Sequence, residues 1–279
     1  MMQEINLQNA FHSIPSDEDV LTMSDDEYQE WLCEKENARK VQRKDRWDDV
    51  FEDDCPLCGN KGQVWRWDRQ LQTRVVSVCK CEDTRHALAV LDSSGVCPDW
   101  REKTLDSFQL SEPWQRSFKK SIAEYIAGGN GWLYVSGQSG CGKTHLCTAA
   151  FVELVKSGMD GRYISWLSLM QKLDAAYYDD EVYSGILKPL VTRKLLYLDD
   201  LFKALNNAPV SAREFAHTMR LIDARYQKPD NITLISSEWT IGRLAAFDEA
   251  LAGRIAERCG KNIVQIAKAE GRNHRIYSQ

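Results

Sequence analysis

The chain has 279 residues, of which 43% are hydrophobic and 28% are charged, a balance typical of a globular protein with a buried core. No stretch reaches the roughly 18 consecutive apolar residues of a transmembrane helix, so a transmembrane helix is excluded and no membrane partner is expected. The amino-terminal sequence lacks a charged segment followed by an apolar run, so no secretory signal is expected either.

The formal net charge of −5 is unevenly distributed, since residues 1–54 carry −10 and residues 55–279 carry +5. This balance argues against a protein that coats DNA by charge alone. The chain also holds nine cysteines. Without an export signal, we expect their thiols to be reduced and the protein to be cytoplasmic.

Within the acidic segment 1–54, the stretch from Ser24 to Trp47 has the pattern of a helix. Ser24 is a suitable N-cap, and Glu27 stands three residues later, as in a capping box. A loose apolar stripe follows helical spacing and contains Tyr28, Trp31, Leu32 and Val41. We interpret this helix either as a docking element for a partner protein or as a solvated helix packed lightly on the next domain.

Four cysteines follow in a pattern typical of a metal site: Cys55, Cys58, Cys79 and Cys81. Two close pairs are separated by 20 residues, and zinc prefers four such thiolates in a tetrahedron. A short domain cannot build a large core, so a bound metal would contribute to its stability. The close spacing of the second pair is less usual, and Cys97 or His86 could replace one of its members. The competing interpretation is unrelated buried or redox-active cysteines.

The segment between the two cysteine pairs predicts a hairpin. It carries tryptophans interleaved with arginines, namely Trp65, Arg66, Trp67, Arg69 and Arg74. Such a surface can stack bases and bind phosphates. It equally fits the polar face of a small sheet or a protein interface.

From about residue 104 onward, short apolar segments alternate with helical patterns. The predicted strands are 132–136, 162–165, 194–200, 232–237 and 262–267. This alternation predicts a parallel sheet that is covered by helices on both faces.

The sequence GQSGCGKT at residues 137–144 is the strongest motif in the chain, because it matches G-x-x-x-x-G-K-[ST] between a predicted strand and a predicted helix. Its glycines, Gly137, Gly140 and Gly142, allow backbone N–H groups to point at phosphates. Lys143 is expected to reach the β and γ phosphates, and Thr144 to bind Mg²⁺. The rest of the predicted nucleotide-binding set is Gln138, Ser139, Cys141 and His145. We expect Cys141 to be a small filler residue and His145 to pack away from the phosphates.

The sequence LLYLDD at residues 195–200 predicts a buried strand that ends in two carboxylates. About 50 residues separate it from the phosphate loop, which suits a P-loop fold. We expect Asp199 to hold Mg²⁺ and Asp200 to polarise the attacking water. One of the two could instead cap a helix.

Residues 104–279 resemble the AAA+ ATPases of the DnaC/DnaI helicase-loader group, with IstB-type transposition ATPases as close relatives. The matching segments are TLDSF, VSGQSGCGKTHL, WLSLMQKL, LLYLDDLFK, ARYQKP with ITLISSEWT, LAGRIAERC and GRNHRI. The cysteine region resembles phage and Gram-positive loaders that place a zinc module before the ATPase. The resemblance implies an α/β P-loop AAA+ core with a five-stranded parallel sheet, preceded by a small zinc-binding domain.

The resemblance also implies roles for residues outside the two motifs. Glu238 falls at the sensor-1 turn, where the family more often has Asn; a carboxylate cannot donate a hydrogen bond to water, unlike an amide. Arg258, and as second choice Arg254, falls where the family supplies an arginine finger to a neighbouring subunit. Arg275 falls at the sensor-2 position, and Arg225 is a candidate for a structural or subunit contact.

A finger supplied in trans implies head-to-tail assembly, with slow hydrolysis by a lone subunit. In the family, the region corresponding to 166–185 lines the path of single-stranded DNA, and its tyrosines are candidates for base stacking. These are Tyr177, Tyr178 and Tyr183, with Lys172 and Lys188 near phosphates. The bland alternative is an amphipathic helix.

These observations divide the chain into an acidic segment at 1–54, a zinc-binding, helicase-interacting domain at 55–100 and an AAA+ domain at 101–279. The expected cofactors are ATP or ADP, Mg²⁺ and Zn²⁺. The expected partners are a hexameric replicative helicase, single-stranded DNA and further copies of the chain. The favoured function is loading of that helicase onto single-stranded DNA. The alternatives are an IstB-like transposition accessory ATPase and a nucleotide-binding adaptor with little turnover.

Overall fold

The structure is a computed structural model that describes residues 22–40, 55, 57–128, 130–203, 208–269 and 272–273. The chain forms two compact units that divide between Arg85 and His86, within a helix. The division predicted from the sequence, at 1–54, 55–100 and 101–279, places its boundaries elsewhere and stays a prediction.

The described part of the first unit contains one helix, a two-stranded sheet and the start of a second helix. Its elements are α1 (Asp25–Ala38), β1 (Gln63–Asp68), β2 (Thr73–Val78) and the first residues of α2 (Lys80–Ser94). The strands pair in antiparallel register, which confirms the predicted hairpin. Ser24 and Glu27 form the predicted capping box at the start of α1, because each side chain accepts a hydrogen bond from the other residue's backbone N–H.

Helix α1 ends at Ala38, and Arg39 is extended, so the prediction of a helix that continues to Trp47 is wrong at this end. The reason is a tertiary contact that the local pattern does not contain. The Lys61 ammonium donates hydrogen bonds to the carbonyls of Glu36, Asn37 and Arg39, which the end of the helix leaves without intrahelical partners. Residues 41–47 lie outside the described residues.

The second unit alternates strands and helices. Its helices are the remainder of α2, a 3₁₀ turn (Pro98–Arg101), α3 (Pro113–Gly128), α4 (Lys143–Lys156), α5 (Trp166–Ala175), α6 (Asp180–Thr192), α7 (Ala212–Tyr226), α8 (Ile241–Phe247) and α9 (Glu249–Cys259). Its strands are β3 (Leu133–Ser136), β4 (Gly161–Ser165), β5 (Leu195–Leu201), β6 (Ile232–Ser237) and β7 (Ile263–Gln265). Among the described residues, no helix combines the length and the apolar character that crossing a membrane requires.

The five strands form one parallel sheet in the order β4-β5-β6-β3-β7, which confirms the predicted sheet and all five predicted strands. The inner strands β3 and β6 are buried at every residue, as expected for strands covered on both faces. Strand β6 lies between β3 and β5. Because these strands are parallel, the loops after β3 and β5 open at the same edge of the sheet, where ligands of such folds bind.

Arg225, near the end of α7, is a structural residue of this unit and is fully buried. Its guanidinium donates to the carbonyls of Leu190 and Ile232, at 2.6 Å each, and to the Thr233 hydroxyl at 2.8 Å. Burial lowers its pKa to about 9, which still leaves it protonated at neutral pH. The guanidinium thus fastens the end of α6 to the start of β6, and it is not at a surface where another subunit could reach it.

We expect Arg225→Met to lower the free energy of unfolding by about 3 kcal/mol, because the substitution leaves several buried acceptors without donors. Urea unfolding of the full-length chain, followed by circular dichroism, measures the change. Arg116→Met, at an exposed arginine of α3, is the control and should change stability by less than about 0.5 kcal/mol. Equal stability of the two variants would contradict the structural role of Arg225.

Candidate functional site

The phosphate loop connects β3 to α4 and has the backbone that its sequence predicts. Gly140 and Gly142 adopt left-handed φ angles of +76° and +87°. Gly142 is also the N-cap of α4, so the helix amino terminus faces the loop. Gly137 has no left-handed φ; its backbone N–H donates to the Ser237 carbonyl and joins the loop to β6. The loop therefore has the backbone conformation that phosphate binding requires.

Lys143 supplies the clearest evidence that the loop binds an anion. Its side chain is 5% exposed, and its ammonium donates at 3.0 Å to the loop carbonyls of Gly137 and Gln138. Within the described part of the chain this ammonium forms no salt bridge. A buried cation without a counter-ion is costly, so a phosphate chain is a suitable partner for it.

Asp199 and Thr144 face each other across the site. The Thr144 hydroxyl lies 3.4 Å from Asp199 Oδ1, and Asp199 is 4% exposed. A hydroxyl and a carboxylate are the hard oxygen ligands that Mg²⁺ prefers beside nucleotide phosphates. The two residues that the sequence predicts for Mg²⁺ are therefore brought together by the fold, and they suit that ion.

Three further hydroxyl groups surround the Asp199 carboxylate. Tyr197 donates to Oδ1 at 2.7 Å, Ser236 also donates to Oδ1, and Tyr163 donates to Oδ2 at 3.1 Å. Burial, followed by the nearby charge of Asp199, raises the pKa of both tyrosines well above the usual range, so both phenols remain donors. Sequence reasoning missed this cluster. Tyr197 could have been found, since it precedes Asp199 by two residues on the same face of β5.

Asp200 lies in an irregular part of β5. Its φ of +57° and the φ of +59° at Phe202 are left-handed, and the register with β6 shifts between Leu198 and Leu201. Such a bulge turns a side chain away from the regular strand direction. The Asp200 carboxylate pairs with the Lys203 ammonium at 2.7 Å.

The ring of Phe202 is 2% exposed and belongs to an aromatic cluster at this end of the sheet. It packs against Trp166, Trp239 and Phe247, with ring centroids 5.2–5.6 Å apart. A left-handed φ is unfavourable for a phenylalanine, so the packing must hold this backbone in place.

Glu238 follows β6 and is half-buried beside the phosphate loop. Its negative charge contributes, after burial and against the opposing effect of Lys143, to raising the pKa of the Cys141 thiol. Cys141 itself is fully buried, as expected for a filler residue.

Two segments distant in sequence pack on the loop. The His145 ring lies 2.8 Å from the Thr104 carbonyl, which supports packing, and the edge of Phe108 lies so close to Gly142 that a Cβ there would be 2.5 Å from it. From the carboxyl-terminal side, the Ala269 N–H donates to the Gln138 side chain. Asn273 fills the space where a Cβ of Gly140 would stand. Thr104 and Phe108 belong to TLDSF and Asn273 belongs to GRNHRI, two of the stretches that carry the family resemblance.

The two candidate arginine fingers lie on α9 and already have partners within the chain. Arg258 donates to the carbonyls of Lys228 at 2.8 Å and Pro229 at 2.7 Å. Arg254 forms a salt bridge with Asp223 at 2.6 Å. The third candidate from the family pattern, Arg275, lies outside the described residues.

The predicted cysteine cluster is formed in the first unit by Cys55, Cys58, Cys79 and Cys81, whose sulfurs lie within 4.8 Å of one another. The Sγ distances are 3.8 Å between Cys55 and Cys79 and 3.5 Å between Cys58 and Cys81. A tetrahedral zinc with Zn–S bonds of about 2.3 Å places its ligands about 3.8 Å apart. The four sulfurs therefore suit a zinc ion.

Cys97 is not part of this cluster. Its sulfur accepts a hydrogen bond from the Lys103 ammonium at 3.1 Å.

Two of the three arginines of the hairpin are engaged by the acidic helix α1, whereas Arg66 donates to Ser77 on the neighbouring strand. Arg69 forms a two-pronged ion pair with Glu30, at 2.8 and 2.9 Å, and Arg74 donates to the Gln29 side chain. The indole of Trp67 donates to Asp26 at 2.8 Å. This packing favours the interpretation of the hairpin as one face of a small folded unit over a nucleic-acid surface.

The candidate DNA-stacking tyrosines differ in exposure. Tyr183 is buried, and its hydroxyl lies 2.8 Å from His217 Nδ1, so it is unavailable for stacking on bases. Tyr178 is 91% exposed at the turn after α5. Tyr177 packs edge-on against it and carries the Arg213 guanidinium 4.2 Å above its ring. An exposed aromatic pair beside a cation fits single-stranded nucleic acid.

Comparison with known proteins places this site in a family. Residues 101–275 match the model of the IstB-like ATP-binding proteins. The phage-like element PBSX protein XkdC of Bacillus subtilis is 28% identical over 80% of this chain and 86% of that protein. The YqaM protein of the same organism is 26% identical over the same shares of both chains.

Among solved structures, the DnaC helicase loader has a TM-score of 0.52 and 19% identity to this chain, and the similarity covers 61% of this chain and 100% of that one. At this identity the likeness shows a shared fold. Because the match of residues 101–275 extends over more than half of the chain, the protein belongs to the IstB-like ATP-binding family and is a P-loop ATPase with the AAA+ fold.

Proposed function

We propose that this ATPase loads the hexameric replicative helicase onto single-stranded DNA in an ATP-dependent manner. The observation that carries the proposal is a compact cysteine unit placed before an AAA+ unit. The fold of the second unit is that of a protein described as a helicase loader. In this arrangement the first unit binds the helicase, and the second unit binds nucleotide and DNA.

In the proposed reaction, the loop N–H groups and Lys143 hold the phosphates of ATP, and Thr144 and Asp199 hold the magnesium ion. Mg²⁺ supplies positive charge that neutralises the phosphate oxygens. Asp200 orients the attacking water, and it can do so only after its ion pair with Lys203 opens. Glu238 can accept a hydrogen bond from that water but cannot donate one.

Completion of the site requires a neighbouring copy of the chain. We assign the arginine finger to Arg258, with Arg254 as the alternative, since both lie on α9. A finger stabilises the charge of the transferring phosphoryl group. Both side chains have partners in the isolated chain, so assembly must exchange these contacts for contacts with the neighbour's nucleotide. Slow hydrolysis by the isolated subunit follows from this.

Single-stranded DNA is assigned to the turn that carries Tyr177 and Tyr178. Tyr178 offers an almost fully exposed ring, and Arg213 supplies positive charge beside Tyr177. Stacking of one base on an aromatic ring contributes about 1–3 kcal/mol without sequence preference, which suits a protein that handles many DNA sequences.

The alternative function is that of a transposition accessory ATPase. The family description favours it, because the matching model is that of IstB-like proteins. The cysteine unit favours helicase loading, since the helicase-loader resemblance includes such a unit. An adaptor with little turnover is the third possibility, and Glu238 in place of the usual Asn supports it.

We expect the purified protein to contain about one zinc ion per chain, bound by the four clustered thiolates. Cys55→Ser should lose the ion and unfold the first unit, because the small hairpin cannot maintain its structure without the metal. Elemental analysis and circular dichroism measure both effects. Cys97→Ser, outside the cluster, should keep the zinc. A metal-free and fully folded wild-type protein would refute the assignment.

We expect the full-length protein and the replicative helicase of its source to elute as a discrete complex in the presence of ATP. Size-exclusion chromatography with light scattering measures it. Cys55→Ser should weaken the complex because the cysteine unit makes the contact, whereas Cys97→Ser should preserve it. If the protein does not bind the helicase and instead forms ATP-dependent filaments on DNA, helicase loading is refuted and the transposition function is favoured.

We expect the finger to act in trans, so two inactive variants should complement each other. Lys143→Ala cannot hold ATP but retains its finger, and Arg258→Ala binds ATP but lacks the finger. Each alone should hydrolyse ATP on the order of a thousandfold more slowly than the wild type.

A mixture of these two variants should regain activity that is measurable in a phosphate-release assay with helicase and DNA present. Arg116→Ala, at an exposed arginine of α3, is the control and should be fully active. Arg254→Ala is measured in the same way. The finger is the arginine whose variant is inactive alone and whose mixture with Lys143→Ala regains activity. A mixture as inactive as its components would exclude a trans-acting Arg258.

A further inference from the structure

The two oxygens of the Asp199 carboxylate have different environments. Oδ1 accepts hydrogen bonds from Tyr197 at 2.7 Å and from Ser236, and the Thr144 hydroxyl lies 3.4 Å away. Oδ2 accepts only from Tyr163, at 3.1 Å, among the described residues. Each carboxylate oxygen offers about two lone-pair sites. The sites of Oδ1 are therefore filled by the protein, and one site of Oδ2 is left.

The donors to the two oxygens come from different strands. Tyr163 lies on the edge strand β4, directly beside Tyr197 on β5 in the parallel register. The two rings meet edge to face with centroids 5.1 Å apart, which fixes both phenols relative to each other. Tyr197 is fully buried, and Tyr163 is half-buried.

We propose that Tyr163 and Tyr197 are positioning residues that hold the Asp199 carboxylate in the rotamer that presents Oδ2 to the magnesium-nucleotide complex. The inference rests on the proposed roles of Asp199 and Thr144 at the metal. It adds to the P-loop site two hydroxyl groups to which the motifs assign no role, since Tyr197 lies within LLYLDD and Tyr163 lies on β4, outside both motifs. Because the tyrosines contact Asp199 and not the nucleotide, they act on catalysis through this carboxylate.

Such a pair is needed because Asp199 is buried at the end of a strand and forms no salt bridge among the described residues that would fix its carboxylate. An aspartate has a broad and roughly two-fold preference at its terminal torsion, so an unsupported carboxylate turns easily. Two phenols on opposite oxygens block that rotation. Partners of this kind around a metal ligand typically contribute about 10–100-fold to metal affinity or activity.

The test measures how magnesium tightens nucleotide binding, with Tyr163→Phe and Tyr197→Phe each compared with the wild type. Phenylalanine keeps the ring and its packing and removes only the donor. The affinity for a fluorescent ATP analogue is titrated against the magnesium concentration in the full-length protein, and once more in EDTA. Tyr125→Phe is the matched control, since that buried hydroxyl donates to the Gly131 carbonyl and not to Asp199.

We expect the magnesium concentration for half-maximal tightening to rise about 10-fold in both tyrosine variants. Binding in EDTA should be unchanged, and Tyr125→Phe should behave as the wild type. A merely structural role of the tyrosines would instead change nucleotide binding with and without magnesium alike. The comparison with EDTA therefore separates a positioning role from a structural one.

The outcomes separate this inference from the proposed function. A wild type that shows no tightening by magnesium overturns the assignment of Asp199 and Thr144 to the metal. A wild type that tightens normally, together with an unchanged magnesium requirement in both tyrosine variants, overturns only the role of the tyrosines. If the fully buried Tyr197→Phe does not fold, the half-buried Tyr163→Phe decides the question alone.

Discussion

The buried charges at one end of the sheet are the constraint on which the second unit depends. Lys143 brings a positive charge and Asp199 a negative charge into a region where both are almost excluded from water. Neither ion is neutralised by the other through a direct salt bridge in the described residues, so each is stabilised by neutral dipoles. Loop carbonyls surround the ammonium, and hydroxyl groups surround the carboxylate. A polyphosphate with its metal would suit this arrangement, because it would offer both signs of charge at once.

The first unit also depends on polar contacts for its stability. It is too small to build a large core, and its helix and hairpin are joined by polar contacts. Lys61 closes the end of α1, Asn37 pairs with the backbone of Trp65, and Arg69 binds Glu30. These contacts join the acidic helix α1 to the basic hairpin. Polar contacts of this kind are individually weak. A metal bound by the four cysteines would therefore add much of the stability of this unit.

Features with local signals were predictable from the sequence. The strand-loop-helix around Lys143, the acidic strand end at Asp199 and the capping box at Ser24 each depend on residues within one turn or strand. Features that depend on distant contacts were not. Tyr163 reaches Asp199 only because β4 and β5 are neighbours, and α1 ends at Ala38 because Lys61 captures its carbonyls. The alternatives left open for Arg225 were likewise decided by its burial and not by its neighbours in the sequence.

The left-handed backbone at Asp200 and Phe202 has a mechanical consequence. A backbone displacement at Asp200 would reach Phe202, two residues later, whose ring is held by Trp166, Trp239 and Phe247. Of these neighbours, Phe247 is 43% exposed, so the packed rings extend from the strand end to the surface. The aromatic cluster therefore forms a continuous packed path between the Asp200 strand end and the exterior, and any displacement of that strand end would have to be accommodated by these rings.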